Sequence, residues 1–403
     1  MKIVQVGTGF VPVLPGGAGG VERYTHYLAT GLAMLGHEVS VIDMRVASRP
    51  ASKYRVVEIP LHWRYDRNLV SHAVRGLLFG RVAEHTLARL IRYEGVDVVN
   101  FQSQFTGVTG IRAAQRFGVP TVFTMHNPLW SDALACQSTL ERAKFWLEHK
   151  SEVKADGVVG LSRAVTENRV RFFGLPPAKV AVAPVGVDEY WFEQNSPGTD
   201  VRRKYAPDGQ LVVLHVGRIA PYKNQLTLLK AAARLFATVP RARLVLVGPT
   251  ESQRYFRELQ RVAAANAGGR IVFAGVIPFE ELSQLYGLAQ VIVLPSLREN
   301  CPQVLLEAMA QGKAIVTSDI PPLTEILPPG TGITLPALDQ DALADALLNL
   351  LRRERFRETM GAQARQRARE KYRWTVVTKQ VAYVYDRVLR GVALNGLDML
   401  TAV

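Results

Sequence analysis

Short apolar segments alternate with helical patterns along almost the whole chain, and this alternation constrains the fold more than any other feature of the sequence. The first series of apolar segments is at 2–7, 39–43, 96–101, 121–125, 157–161 and 180–183. A second series is at 211–216, 243–247, 271–275 and 291–294. Strands that alternate with helices pair in parallel, because each helix returns the chain to the same end of the sheet. The sequence therefore predicts an α/β protein with two Rossmann-like, doubly wound parallel-sheet domains.

Between the two series, residues 191–209 lose this periodicity and include the turn-forming run NSPG at 195–198. We predict that this stretch is a linker. It separates an N-terminal domain, residues 1–190, from a C-terminal domain, residues 210–374. Two domains are also expected from the length, because 403 residues exceed one ordinary hydrophobic core.

The net charge of +14 fits anionic substrates such as nucleotides, or an anionic membrane surface. A soluble protein with a basic surface is the alternative. We find no helix-turn-helix, zinc-finger or aromatic RNA-binding pattern, so nucleic acid is not an expected partner. The two cysteines, Cys136 and Cys301, form no CxxC pair, and no apolar run is long enough to span a bilayer. A cytoplasmic location is expected, and the charge is compatible with peripheral contact at the inner membrane face.

The stretch 294–319 places two carboxylates at the predicted ligand-binding edge of the second sheet. Glu299 lies in the polar loop that follows the apolar segment 291–294. Glu307 lies eight positions later, in a helical pattern that stops at Gly312. In open α/β sheets, ligands bind beyond the carboxyl ends of the strands. An ionised carboxylate accepts two hydrogen bonds, so both glutamates are candidates for holding hydroxyl groups.

The loop GRIAPYKN, residues 217–224, follows the apolar segment 211–216 and precedes a helix. Arg218 and Lys223 are therefore expected to point into the crevice at the carboxyl end of that strand. Two cations beside a helix N-terminus suit a diphosphate. Ordinary loop charges are the alternative, but the two glutamates of the same predicted edge favour the phosphate.

A glycine-rich loop precedes the first predicted helix and contains Gly16, Gly17, Gly19 and Gly20. Glycines let backbone amides approach a ligand closely, and a helix N-terminus favours an anion. Gly7 and Gly9 begin a dinucleotide fingerprint, but Pro12 stands where the third glycine is required. An NAD site is therefore not favoured.

Five short motifs occur in the order and approximate spacing of one enzyme family. They are GGVE at 19–22, LSRAV at 161–165, PVGVD at 184–188, GRIAPYKN at 217–224 and the glutamates at 299 and 307. On these motifs the chain resembles the retaining glycosyltransferases of family four, over almost its whole length. The resemblance implies the GT-B fold, in which two Rossmann-like domains face a cleft. It also implies that a C-terminal helix, here at about 375–403, crosses back to the N-terminal domain.

The resemblance implies a nucleotide-sugar site in the C-terminal domain. Glu307 would hold the ribose hydroxyls, and Glu299 would lie near the hydroxyls of the donor sugar. Arg218 and Lys223 would bind the diphosphate and stabilise the leaving group. The sugar pocket would be lined by the amides of residues 300–303, which are Asn300, Cys301, Pro302 and Gln303. The base would meet Val276 and Ile277.

The N-terminal domain would supply the acceptor side of the site. There the resemblance implies that the phosphates face Gly16, Gly17, Gly19 and Gly20. It also implies that His126, at the end of a predicted strand, lies near the anomeric carbon of the sugar. Outside this family context, a structural histidine is the favoured interpretation of His126, and the family context reverses that preference. The expected catalytic residues are His126, Glu299, Arg218 and Lys223.

Neither a metal ion nor another cofactor is expected, and a UDP- or GDP-linked sugar is the expected co-substrate. Cations and helix-end amides stabilise the charge that develops as the diphosphate departs. The Asp-x-Asp pattern at Asp339 and Asp341 opens a helical pattern, so Asp339 is predicted to be a helix cap. The family implies retaining chemistry, with same-face attack by the acceptor assisted by the departing phosphate.

The donor sugar and the acceptor remain open at this stage. Asn300, Cys301 and Pro302 stand where the family often has Gly or Ser, Phe and Gly. A lipid-linked or polysaccharide-precursor acceptor is compatible with the sequence, and Trp63 and Trp130 are either sugar-stacking platforms or core residues. The basic amphipathic segment 66–93 is either a membrane-facing surface or a core-packing helix with a solvated face.

Two other functions are compatible with the same architecture. A nucleotide-sugar epimerase or hydrolase needs further carboxylates in the N-terminal half to move protons, and Glu22 and Asp132 are the candidates. A non-catalytic nucleotide-sugar-binding protein would keep Glu307 and Arg218 without turnover.

Overall fold

The computed structural model describes residues 1–15, 19–60, 69–127, 139–193, 196–266 and 268–398. The chain divides into two compact units. The first unit comprises Met1–Gly186 together with Trp374–Val403, and the second comprises Val187–Arg373. Each unit is built on one parallel sheet, which confirms the α/β class predicted from the alternating pattern.

The first sheet is formed mainly by strands from the N-terminal part of the chain. They are β1 (Lys2–Val6), β2 (Glu38–Met44), β3 (Arg55–Ile59), β4 (Val98–Phe101), β5 (Thr121–Met125), β6 (Gly157–Gly160) and β7 (Val180–Val182). They lie side by side in the order β7-β6-β5-β4-β1-β2-β3. Every residue of β4, β5, β6 and β7 is buried. Such burial is typical of parallel strands that are covered on both faces.

The helices of this part follow the strands in alternation. They are α1 (Gly20–Met34), α2 (Leu69–Glu94), α3 (Gln104–Arg116), α4 (Thr139–Lys154) and α5 (Arg163–Phe173). Their ends follow local chemistry: the Ser103 side chain accepts a hydrogen bond from the Phe105 amide and caps α3. Gly174 ends α5 with a φ of 66°, a left-handed conformation that glycine adopts at little cost.

The second sheet contains β8 (Leu211–Val216), β9 (Ala242–Val247), β10 (Ile271–Gly275), β11 (Val291–Leu294), β12 (Ala314–Ser318) and β13 (Ile333–Leu335). Their order is β10-β9-β8-β11-β12-β13, and all pairs are parallel. The strand order reverses between β8 and β11, which are neighbours. Such a reversal opens a crevice at the carboxyl ends of the two strands, and ligands bind there in sheets of this kind.

Eight helices accompany this sheet in the described ranges. They are α6 (Thr199–Tyr205), α7 (Gln225–Thr238), α8 (Gln253–Asn266), α9 (Phe279–Leu288), α10 (Gln303–Ala310), α11 (Pro321–Ile326), α12 (Gln340–Arg352) and α13 (Glu354–Lys371). Helix α10 stops before Gly312, whose φ is 65°, as predicted for that glycine. Asp339 caps α12 as predicted, because its carboxylate accepts hydrogen bonds from the amides of Asp341 and Ala342.

The stretch predicted to be an aperiodic linker, residues 191–209, is partly helical. It contains the end of a short 3-10 helix, Glu189–Phe192, and the whole of α6. Helix α6 was not predicted because it is too short to show a helical period. It has only seven residues, and the two that are buried, Val201 and Tyr205, are four positions apart. The stretch predicted to be a linker therefore includes one short helix.

The final helix, α14 (Trp374–Leu389), belongs to the first unit, as the fold prediction requires. It packs on α1, where a Cβ on Gly31 would overlap Thr378 of α14. The helix was predicted to run to about residue 403, but it ends at Leu389, and Gly391 has a φ of 66°. The chain then forms a two-residue strand, β14 (Leu397–Asp398), which pairs with β7. None of the helices in the described ranges is long and apolar enough to cross a bilayer.

Candidate functional site

The loops after β8 and β11 are joined to each other by hydrogen bonds. The Leu297 amide donates to the Tyr222 carbonyl at 2.8 Å. Asn224, at a φ of 55°, donates from its side chain to the Pro295 carbonyl at 3.0 Å and to the Ala337 carbonyl at 2.6 Å. Each loop therefore holds the other in place at the point where the strand order reverses.

Lys223 and Glu299 form a close ion pair within this crevice. The Lys223 Nζ donates to the Glu299 Oε1 at 2.5 Å, and the two side chains are 17% and 8% exposed. Both residues were selected from the sequence, and the structure brings them together. A shielded pair of this kind presents one cation and one acceptor in fixed positions, which suits a ligand with both phosphate and hydroxyl groups.

Arg218 occupies a different position from Lys223. Its side chain is 63% exposed, and its guanidinium lies 3.4 Å from Glu251, in the loop after β9. The Tyr222 hydroxyl lies at the same distance from Glu251. Burial, and next the Glu251 carboxylate, raise the pKa of Tyr222 to about 12, so its hydroxyl remains a donor. The sequence did not single out Glu251, although it follows the apolar strand β9 by four residues.

A buried histidine on β8 holds the loop 217–224 through hydrogen bonds. His215, on β8, contacts the Val293 carbonyl through Nδ1 at 2.9 Å and the Gln225 amide through Nε2 at 3.1 Å. Gln225 also donates to the Arg218 carbonyl at 2.7 Å. Burial lowers the pKa of His215 to about 4, so it is neutral and accepts from Gln225. Sequence analysis missed both residues; the signal was a histidine inside the apolar run LVVLHV.

Glu307 lies in the middle of α10 and is almost completely buried. The Tyr286 hydroxyl, from α9, donates to its Oε2 at 3.2 Å. A tyrosine that holds one carboxylate oxygen fixes the orientation of the whole group. The side chain is therefore rigid, which favours binding of a ligand with two adjacent hydroxyls.

The remaining predicted donor residues line the start of α10 and the end of β10. Asn300 and Cys301 are buried, whereas Pro302 and Gln303 are half-buried at the N-terminus of α10. Val276 is 74% exposed and Ile277 is half-buried, just after β10. β10 is an edge strand and is separated from β11 by two other strands, so these two residues lie on the far side of the crevice from α10.

In the first unit, His126 directly follows β5 and contacts a buried glutamine. Its Nε2 lies 2.7 Å from the Gln102 Oε1, and the edge of its ring meets the Tyr24 ring at a centroid distance of 4.9 Å. Burial lowers the pKa of His126 to about 3. The imidazole is therefore neutral near pH 7 and has one N–H group.

The glycine-rich loop is only partly described, since Gly16 and Gly17 lie outside the described residues. Gly19 is the N-cap of α1, and Gly20 is its first residue. The Glu22 carboxylate in the first turn accepts a hydrogen bond from Thr8 and lies against Gly19, where a Cβ would overlap it. The positive end of α1 thus already faces one carboxylate of the protein.

Several other predicted residues lie outside the described ranges, namely Trp63, Trp130, Asp132 and Cys136. Within the described ranges, we find no group of three or more His, Cys, Asp or Glu residues that is arranged to hold a metal ion.

Two family models match the chain, one on each part. Residues 18–190 match the model described as Glycosyltransferase Family 4, and residues 199–367 match the model described as Glycosyl transferases group 1. A curated relative, D-inositol 3-phosphate glycosyltransferase of Nocardioides sp., is 29% identical, and the match covers 92% of this chain and 86% of the relative.

Solved structures resemble the whole chain. Sucrose-phosphate synthase from Thermosynechococcus elongatus has a TM-score of 0.76 at 22% identity, with coverage of 97% of this chain and 100% of that one. HepE of Anabaena, solved with UDP-glucose, has a TM-score of 0.74 at 19% identity, with coverage of 96% and 99%. At these identities the likeness establishes a common fold.

Proposed function

Because this chain belongs to glycosyltransferase family four and has the GT-B fold, we propose that it transfers a sugar from a nucleotide diphosphate donor to an acceptor hydroxyl, with retention at the anomeric carbon. The two family models and the names of its relatives support its assignment as a glycosyltransferase. The donor class is supported by HepE, which was solved with UDP-glucose. The proposed donor is a UDP- or GDP-linked hexose.

The observation behind this proposal is the shielded Lys223–Glu299 pair at the reversal of strand order, followed by the buried Glu307 on α10. In the proposed complex, Glu307 holds the ribose hydroxyls and Glu299 a hydroxyl of the sugar. Lys223 and Arg218 bind the diphosphate, with the amides at the start of α10 nearby. The positive end of that helix favours the same anion.

The proposed chemistry follows from these positions. As the bond between the anomeric carbon and the diphosphate oxygen breaks, negative charge grows on the diphosphate, and Lys223 stabilises it. The acceptor hydroxyl attacks from the face that the diphosphate leaves, and its proton passes to a departing phosphate oxygen. His126, in the first unit, contributes a neutral imidazole beside the sugar. We propose that no metal ion is required.

A panel of UDP-, GDP- and ADP-linked sugars tests the donor proposal by thermal shift. A true donor at 100 times its Kd adds about 2.7 kcal/mol to the free energy of unfolding. Glu307→Ala is expected to weaken that donor by about 10- to 100-fold in calorimetric titration, because a hydrogen bond to a charged group contributes about 1.5–3 kcal/mol. In this variant the Tyr286 hydroxyl keeps the Val304 carbonyl, at 3.3 Å, as an acceptor.

The matched control is Glu358→Ala, an exposed glutamate of α13, which should leave the affinity unchanged. If no nucleotide sugar raises the melting temperature, the donor proposal is wrong; unchanged affinity in Glu307→Ala refutes the ribose role alone. Donor hydrolysis in the absence of any acceptor would instead support a hydrolase. Binding without turnover would support a non-catalytic nucleotide-sugar-binding protein.

We also propose that the first unit contacts an anionic membrane through α2. One face of this helix packs in the core through Phe79, Ala83 and Leu87. The opposite face exposes Val74, Leu77, Leu78 and Val82, each 41–43% exposed, and Arg81, His85, Arg89 and Arg92. Glu84, two helical turns after Leu77, lies at the edge of this face, and the rest of the face presents apolar and cationic side chains together, as membrane-surface helices do.

Replacing Leu77 and Leu78 together by serine is expected to weaken co-sedimentation with anionic phospholipid vesicles by on the order of 100-fold. The reason is that burial of each leucine contributes about 1.5 kcal/mol or more. Leu338→Ser, at an exposed leucine of the second unit, is the control and should bind as the unsubstituted protein does. Equal binding of the double variant would contradict the proposed contact.

A further inference from the structure

A row of buried polar side chains crosses the centre of the first sheet. Gln5 on β1 and Asn100 on β4 are register partners, and Thr124 lies on β5. All three are at most 1% exposed, in a sheet whose other buried positions are mainly apolar. Buried polar groups lower stability unless they are hydrogen-bonded, so such a row requires a complete set of partners.

Tyr385 of α14 provides the acceptor for this row. Its hydroxyl oxygen accepts from the Gln5 Nε2 at 3.0 Å and from the Asn100 Nδ2 at 2.5 Å. The Thr124 hydroxyl donates to the Asn100 Oδ1 at 3.1 Å, which turns the amide nitrogen of Asn100 towards the tyrosine. Burial raises the pKa of Tyr385, so the phenol stays protonated.

The row continues to His126 through one more glutamine. The Gln102 Nε2 donates to the Gln5 Oε1 at 2.6 Å, and its Oε1 faces the His126 Nε2 at 2.7 Å. Each amide is oriented by the next one, since an amide has its donor and its acceptor on opposite sides. The direction of the chain is therefore set at the Tyr385 oxygen.

We propose that Tyr385 is a positioning residue for sugar transfer, which acts through Gln5 and Gln102 to hold the proton of His126 on Nε2. The acceptor oxygen of Gln102 requires an N–H at Nε2, and a neutral imidazole has only one. Nδ1 is then the acceptor nitrogen of the ring, as needed to receive a hydrogen bond from a sugar hydroxyl. This inference rests on the proposed role of His126 beside the donor sugar.

Tyr385→Phe is the direct test, because it removes only the hydroxyl on which the two amides converge. Without it, Gln5 and Gln102 can reverse together, and His126 is expected to populate both tautomers. In ¹⁵N-histidine-labelled protein, long-range ¹H–¹⁵N spectra should show Nε2–H alone before the substitution and a mixture after it. The kcat for transfer should fall by on the order of 10-fold with an unchanged donor KM, by analogy with metal-ligating histidines that lose an outer-shell partner.

Tyr383→Phe is the matched control on the same helix. Tyr383 is 45% exposed, and its hydroxyl accepts a hydrogen bond from Arg387 at 3.2 Å. This variant should keep both the tautomer and kcat. If Tyr385→Phe does not fold, Gln102→Met provides the same test, because it removes the acceptor of His126 and leaves Tyr385 with Gln5 and Asn100.

The two readouts separate this inference from the proposed function. The spectra report the tautomer whether or not any donor is turned over. An Nδ1–H tautomer in the unsubstituted protein, or an unchanged tautomer in a folded Tyr385→Phe or Gln102→Met protein, overturns the inference. Absence of turnover with every donor overturns the proposed function and leaves the tautomer result standing.

Discussion

Lys223→Ala is expected to lower the kcat of sugar transfer by about 10²–10³-fold, equivalent to about 3–4 kcal/mol of barrier for one group that stabilises a leaving oxyanion. Its Nζ is held at 2.5 Å from Glu299 in a shielded crevice, so its charge acts in surroundings of low dielectric constant. The substitution also leaves the Glu299 carboxylate without this cation, next to an incoming diphosphate. Release of nucleoside diphosphate in a coupled assay measures the effect.

The control for this substitution is Lys230→Ala, at an exposed lysine of α7. It removes the same charge from the same unit and should leave kcat unchanged. Because a loss of folding would also lower kcat, both variants are compared by thermal unfolding. A folded Lys223→Ala protein with nearly full activity would show that the leaving group is stabilised elsewhere, with Arg218 the first candidate.

Arg169→Met is expected to lower the free energy of unfolding by about 3–5 kcal/mol, the usual loss when one partner of a buried ion pair is removed. Arg169 of α5 is 1% exposed and lies 3.1 Å from Glu152 and 3.5 Å from Glu148 of α4. Its guanidinium also stacks over the Phe145 ring at 4.8 Å. Without it, two buried carboxylates lose the guanidinium that lies beside both. Urea denaturation measures the change.

Arg171→Met is the matched control, since Arg171 is exposed two residues further along α5. A triple variant tests whether the unpaired charges cause the loss of stability. Arg169→Met combined with Glu148→Leu and Glu152→Leu removes all three charges and should regain most of the stability. Glu148 also accepts from the Asn127 side chain at 2.7 Å, next to His126, so this triple variant should lose activity while it keeps its fold. A stable Arg169→Met single variant would contradict the importance of the pair.

The sequence predicted what local patterns determine. Strand and helix positions follow from the periodicity of apolar residues, and Asp339 and Gly312 marked helix ends, because caps depend on a few adjacent residues. Lys223 and Glu299 could be assigned in advance to one edge of a sheet, since both follow strands of one parallel sheet, but their ion pair was not predicted. The end of α14 was placed too late because its bounds came from the family resemblance, which did not take Gly391 into account as a helix stop.

Contacts between distant residues could not be predicted in this way. Arg218 meets Glu251 across 33 positions, and Gln5 meets Tyr385 across 380. Tyr385 occupies an apolar position of an amphipathic helix, where a tyrosine is indistinguishable from an ordinary core aromatic. His215 likewise appears as one polar residue in an apolar strand, and its role depends on Gln225, which the strand pattern does not identify.

The division of the chain has a consequence for synthesis on the ribosome. The second unit is one continuous segment, whereas the first unit is closed by α14, which emerges only after that whole segment. Domains usually fold in the order in which they are translated. Here the side-chain amides of Gln5 and Asn100 gain their Tyr385 acceptor only after α14 has been translated. The unit that is translated first is therefore the unit that is completed last.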